Sequence, residues 1–161
     1  MTRKAAFLPS GATLTVSIEE SITIDERDYG GKQTIELDDI YNVDRRLVSV
    51  PTSEVEIIKM STAVAAGQYI ESKVKYIRIT NLDDTNHVSL TFADEGGAEF
   101  GIKLDKGQSF IYNGDIAGGV VDTMAAHTSA ITPGSFSDLV NITALADSAA
   151  CDLEIYIASV E

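Results

Sequence analysis

Two histidines, one cysteine and several paired carboxylates are the side chains of this chain whose types could do chemistry. His87 and His127 are too few nitrogen ligands for a zinc site, and a lone Cys151 excludes any CxxC metal or redox motif. His127, Asp122 and Ser129 are the residue types of a nucleophilic triad. No GxSxG elbow presents a serine, so no catalytic role is assigned to them. Cys151, in the run Ala149-Ala-Cys-Asp-Leu153, reads as a small apolar packing group. His87 reads as a surface or partly packed side chain at a strand start.

The carboxylates come as Asp38-Asp39, Asp83-Asp84 and Asp94-Glu95, the usual composition of solvated turns, where Asp bonds its own backbone. Asp83, Asp84 and Asn86, with Thr85 between, are the one oxygen cluster that could be weighed for calcium. The EF-hand pattern with its central Gly and distal Glu is missing there. No carboxylate pair is marked for glycosidase work, and Gly96-Gly97 and Gly118-Gly119 fit no phosphate-cradling pattern. Asn141-Ile-Thr143 matches the glycosylation pattern inside a predicted strand and is read as chance. No catalytic residue, cofactor or firm metal site is therefore expected.

The elements around these residues are β-strands. The chain has 161 residues, no Trp, 44% hydrophobic residues and a net charge of −13. That length favours one domain. The acidity disfavours nucleic acid and anionic membrane as partners. No apolar run approaches the ~20 residues of a membrane helix, and the basic start has no long apolar stretch of a secretory signal. A soluble protein made in a cytoplasm is the expectation.

Period-2 alternation recurs along the chain. Leu14 to Ile24 keeps one phase and predicts one long strand or a bent pair. Arg27 to Gly31 is a turn signal, Thr34 to Leu37 a short strand, and Asp38 to Asp44 a loop. Leu47 to Val50 is a strand that either ends at Pro51 or lies at a sheet edge. Val55 to Lys59 alternates as a strand, and Ser61 to Gln68 is a loop or one helical turn. Val74 to Ile79 and Val88 to Phe92 predict the arms of a hairpin over Asn81 to Asn86. Phe100 to Leu104 and Gln108 to Tyr112 extend it to a four-stranded meander. Ile116 to Ser137 breaks the rhythm as a long loop, and Leu139 to Leu145 and Cys151 to Ser159 close the chain. About ten short strands with turn signals roughly every 10 residues predict an all-β fold, an antiparallel β-sandwich for which a jelly-roll-like arrangement is open. The organisation expected is an arm over residues 1–12 and one sandwich over 13–161.

The runs KYIRITNLDDTNHVSLTF (Lys75 to Phe92) and FGIKLDKGQSFIYNGD (Phe100 to Asp115) resemble small β-rich virion structural proteins of tailed bacteriophages, marine ones especially. The resemblance covers about the C-terminal two thirds of the chain. It implies a non-enzymatic protein present in many copies on a particle, made in the host cytoplasm and located in the virion. A capsid decoration or cement protein is the leading expectation, with the major capsid protein and its own copies as partners. A tail or neck component is the alternative, and a carbohydrate-binding or adhesin module the alternative from another class. Two segments are the candidate interfaces. One is the basic arm with Arg3, Lys4, Phe7 and Leu8. The other is the long loop, whose Val120, Val121, Met124 and Ile131 would be exposed apolar groups if nothing covered them.

Overall fold

The computed structural model of the protein describes residues 10–114, 118–125 and 136–161. The arm residues Arg3, Lys4, Phe7 and Leu8, and the loop residues His127, Ser129 and Ile131, lie outside that set. Thirteen strands and a single 3-10 turn, Glu71–Lys73, form the described fold.

One sheet has five strands in the order β10 (Glu99–Leu104), β9 (Val88–Asp94), β12 (Leu139–Ala146), β6 (Val55–Ser61) and β7 (Tyr69–Ile70). The other has four, in the order β11 (Ser109–Asn113), β8 (Val74–Asn81), β13 (Cys151–Ser159) and β5 (Asn42–Val50). All pairs are antiparallel except β6 with β7. The alternating strands turn one apolar face inward, and two such faces cover one another. Leu90, Phe92, Ile58 and Ile142 from the first sheet meet Ile77, Ile79, Leu153, Ile155 and Ile157 from the second, all essentially inaccessible to water. Phe92 is the hub, stacked 4.8 Å from Phe100 and tilted 5.0 Å from Phe110. This is the expected all-β sandwich.

Its connectivity differs from the expected meander. β8 and β9 are not a hairpin: they belong to opposite sheets, and the polar run between them is an arch across the core. β9 pairs with β10, and the chain then returns to the second sheet, where β11 pairs with β8. A hairpin would have put Ile77, Ile79, Leu90 and Phe92 side by side on one face. The arch puts them face to face, which buries both sets.

The second correction lies upstream. Asp38 to Asp44 is not a loop. β1 (Ala12–Glu20) pairs with β4 (Gly31–Ile40), and a single residue, Tyr41, separates β4 from β5. Of the acidic residues that mimic a loop, Asp38 and Asp39 are exposed strand positions and Asp44 is half-buried on β5. Beyond β1, the short strands β2 (Thr23–Ile24) and β3 (Arg27–Asp28) form the tip of this ribbon. The reversal is at Asp25-Glu26, not at Arg27 to Gly31. Both residues have positive φ (49° and 62°), as two-residue hairpin loops of the I′ class demand. The base of the ribbon is a third layer. Leu14, Val16, Ile35, Leu37 and Ile40 pack on Tyr76, Tyr156 and Ala158 of the outer face of the four-stranded sheet.

Candidate interaction surface

The polar run of the arch is held by its own side chains. Asp83 Oδ1 accepts hydrogen bonds from the Thr85 and Asn86 amides at 2.8 and 2.6 Å, which holds its carboxyl below the usual range. Thr85 Oγ1 donates to Asp84, and Ser148 Oγ donates to Asn86 Oδ1 at 2.7 Å. The oxygens weighed for calcium thus serve the turn and its neighbour. Among the described residues, no three His, Cys, Asp or Glu side chains converge as metal ligands. His87 Nδ1 lies 3.6 Å from Asp147. Cys151 is buried, and burial pushes its thiol up, away from the reactive thiolate.

The residues that pin this region escaped the sequence reading. Asn81 is fully buried, and its Nδ2 donates to the carbonyls of Asn86 (3.0 Å) and Leu104 (3.2 Å). Its Oδ1 accepts from the Asp83 amide at 3.0 Å. One side chain ties the arch to the end of β10. The only signal in the sequence was an Asn at a phase where Ile77 and Ile79 point inward.

The segment expected as an exposed interface is partly core. Val120 and Met124 are 0% and 2% exposed and belong to the main hydrophobic cluster. That corrects their reading as uncovered apolar groups. Val121 is half-buried. Met124 and Ser137 exchange backbone hydrogen bonds, and the Val120 amide donates to Glu71 O at 2.8 Å. Gly119, at φ +68°, sits so close to the 3-10 turn that a Cβ would come within 2.4 Å of Glu71 O. Only glycine fits that approach. The neighbouring Glu71 carboxyl is pushed up by burial and then by Asp138 and Glu95.

Among the described residues, two surfaces group several exposed apolar side chains. On the outer face of the four-stranded sheet, β5 turns Val43, Arg45 and Leu47 to solvent, with Val43 and Leu47 at 53% and 69% exposure. Glu154 on β13 binds Arg45 (2.6 Å) and Arg78 (2.5 Å) at once. The Arg78 and then the Arg45 hydrogen bonds hold its carboxyl below the usual range. Arg78 also lies 5.8 Å over the Tyr156 ring. The second surface is the ribbon beyond its base, where Ile18, Ile22, Ile24 and Tyr29 are 43 to 60% exposed. They continue the line of Leu14 and Val16 past the point where the sheet covers it.

No protein-family model matches the chain, and no curated protein matches it. A chain of a solved structure described as "Bacillus endospore appendages form a novel family of disulfide-linked pili" is similar over 98% of this chain and 97% of that one, at 10% identity and a TM-score of 0.44. A likeness at that level carries no functional argument. The class that the topology itself defines is an all-β sandwich with a β-ribbon laid over one face.

Proposed function

We propose that this chain is a non-enzymatic structural subunit of a tailed-phage virion, a decoration or cement protein that binds the assembled capsid surface through its ribbon. The observation that carries the reading is the ribbon. A two-stranded hairpin is marginal alone in water, and this one keeps apolar side chains on a projecting tip. Ile18, Ile22, Ile24 and Tyr29 have no partner surface in the described fold, and a neighbour on a particle supplies one. The resemblance of Lys75 to Asp115 to phage virion proteins supports the same reading. So does the acidic body, which suits a solvent-facing component that keeps off nucleic acid.

The test is co-sedimentation of the purified protein with assembled phage capsids, with mass in solution and electron microscopy alongside. Monomers or small closed oligomers that bind capsids only when the ribbon tip is intact support decoration. Ile22→Ser with Ile24→Ser, exposed positions, should abolish binding and leave the thermal midpoint unchanged. Rings or tubes of the protein alone replace decoration by a tail or neck role. Binding to a glycan array and to no particle refutes the virion reading.

A further inference from the structure

On one side of the sandwich, β5 ends the four-stranded sheet and the two-residue β7 ends the five-stranded one. Between these edges lies a groove of about 520 Å³. Its walls include Val43 of β5, Ile70 of β7, and Ile157 and Val160 from the end of the chain, with Val64 reaching over it at 87% exposure. Ile157 is a core residue, so the groove opens toward the hydrophobic interior. Asp44, Lys73 and Glu161 are its charged lining. Asp44 is engaged inward: it accepts the Tyr69 hydroxyl and lies 3.3 Å from Arg46. Burial and that bond push the Tyr69 hydroxyl up to about 12.

β5 is also a long, regular edge. Nine residues pair with β13 without a register shift, and among the described residues no strand occupies the other side. Such an edge presents a row of unpaired backbone donors and acceptors, and an added strand satisfies them. Successive side chains of an added strand point to opposite faces. Beside this edge, Ile70, Ile157 and Val160 line the groove, and Val43 and Leu47 stand exposed on the strand itself.

We infer that this edge groove receives the N-terminal segment of a second copy of the chain, residues 2–9. Its sequence is Thr2-Arg-Lys-Ala-Ala-Phe-Leu-Pro9. Adjacent Phe7 and Leu8 supply one apolar side chain to each face. Pro9 ends the ladder, as proline does at edges. The described chain begins close to the start of β5. At Gly11 a Cβ would lie 2.5 Å from Asp39 Cα and 3.0 Å from the Tyr41 ring, one residue before β5 begins. Nine residues span up to about 30 Å, enough to reach a neighbouring copy. Charge selects this segment for contact between copies. Residues 1–9 hold Arg3 and Lys4 and no acid, so taking +2 from the chain's −13 leaves −15 on the rest. Bodies of that charge repel each other, and the segment is their complement. The contact joins the arm of one copy to the groove of another and, repeated with a rotation that closes, gives a small closed oligomer. This rests on the reading of the chain as an assembly subunit and names the contact between copies.

The test uses full-length chains in sedimentation velocity. One variant carries a spoiled arm, Phe7→Asp with Leu8→Asp. The other carries a spoiled edge, Val43→Asp with Leu47→Asp, at exposed positions that leave the melting midpoint near that of the unaltered chain. The unaltered chain should form a small closed oligomer that dissociates on dilution and at high salt. Each variant alone should be monomeric. An equimolar mixture should give dimers and nothing larger, because one good arm meets one good groove once. Variants that form multimers like the unaltered chain overturn the inference and leave the assembly reading standing. An unaltered chain that stays monomeric at hundreds of micromolar overturns the inference, and one that also binds no capsid overturns the virion reading with it. A monomeric chain in which a Phe7→Cys, Val43→Cys pair cross-links within one molecule shows the groove filled by its own arm and overturns the second-copy assignment.

Discussion

Replacing Asn81 by Ala should cost this protein about 2–6 kcal/mol, although the side chain is small. The estimate follows from its three hydrogen bonds. The Leu104 carbonyl belongs to a residue 3% exposed, and losing its donor leaves a buried acceptor unsatisfied at about 1–3 kcal/mol. The Asn86 carbonyl and the Asp83 amide lie in partly buried surroundings, where each lost bond costs about 0.5–1.5 kcal/mol. In a domain of this size 1 kcal/mol moves the melting midpoint by about 2–4 °C, so a fall of roughly 4–24 °C is expected. Calorimetry with urea titration at pH 7 measures it. Asn81→Asp sharpens the test. It keeps the acceptor for the Asp83 amide and turns a carboxylate toward two carbonyls, so it should be as damaging at pH 7 and should partly recover in acid as the carboxyl protonates. Asn113→Ala, at an exposed position on β11, is the control and should stay within about 0.5 kcal/mol. If Asn81→Ala also stays within that margin, the arch is not held to the end of β10 by this side chain.

Other consequences are equally open to measurement. Phe92→Ala, at a fully buried site stacked on Phe100, should lose about 3–5 kcal/mol in urea unfolding. Glu154 has a carboxyl held low in the folded state, so its stabilisation is present above the ordinary carboxylate pKa and is lost as pH falls through the lower folded value. Glu154→Gln should therefore be less stable than the unaltered protein at pH 7, with the gap closing in acid. Glu71 has the opposite sign. Its carboxyl is held high, so the folded state binds the proton more tightly and stability falls as pH rises through that range. Glu71→Gln should melt at the same or a higher temperature at pH 7 and flatten that fall, as thermal scans between pH 4 and 8 would show.

Period-2 alternation made the architecture legible and the topology not. Leu153, Ile155 and Ile157 declare one buried face, and nearly every strand of the core is marked in this way. Alternation says which face is buried and is silent on which sheet covers it. A six-residue polar run between two alternating segments reads the same whether it closes a hairpin or arches between sheets. The informative residues were in β8, where Lys75-Tyr76-Ile77 is buried throughout because the ribbon covers the second face. A strand buried on both faces loses its clean alternation. The ribbon itself was half visible. Leu14 to Ile24 held its phase, but β4 and the start of β5 carry so many acidic residues on their wet faces that composition spoke for a loop. For the candidate surfaces, Phe7-Leu8 and Arg3-Lys4 are visible in the sequence as an arm. The groove is not, because Val43, Ile70, Ile157 and Val160 are brought together only by the closing of the two sheets.

The position of β13 has a consequence for how the protein is made. β13 lies between β8 and β5, and its partner Arg45 is 109 residues upstream of Glu154. A ribosome that has translated residues 1–150 has therefore produced β5 and β8 but not the strand that joins them. Until Cys151 to Ser159 emerge, both strands carry bare edges, and the ribbon has no finished sheet to rest on. Nascent chains cannot complete this layer one strand at a time, as neighbouring hairpins can. A premature stop codon after residue 150 removes less than a tenth of the sequence and the middle of a sheet with it.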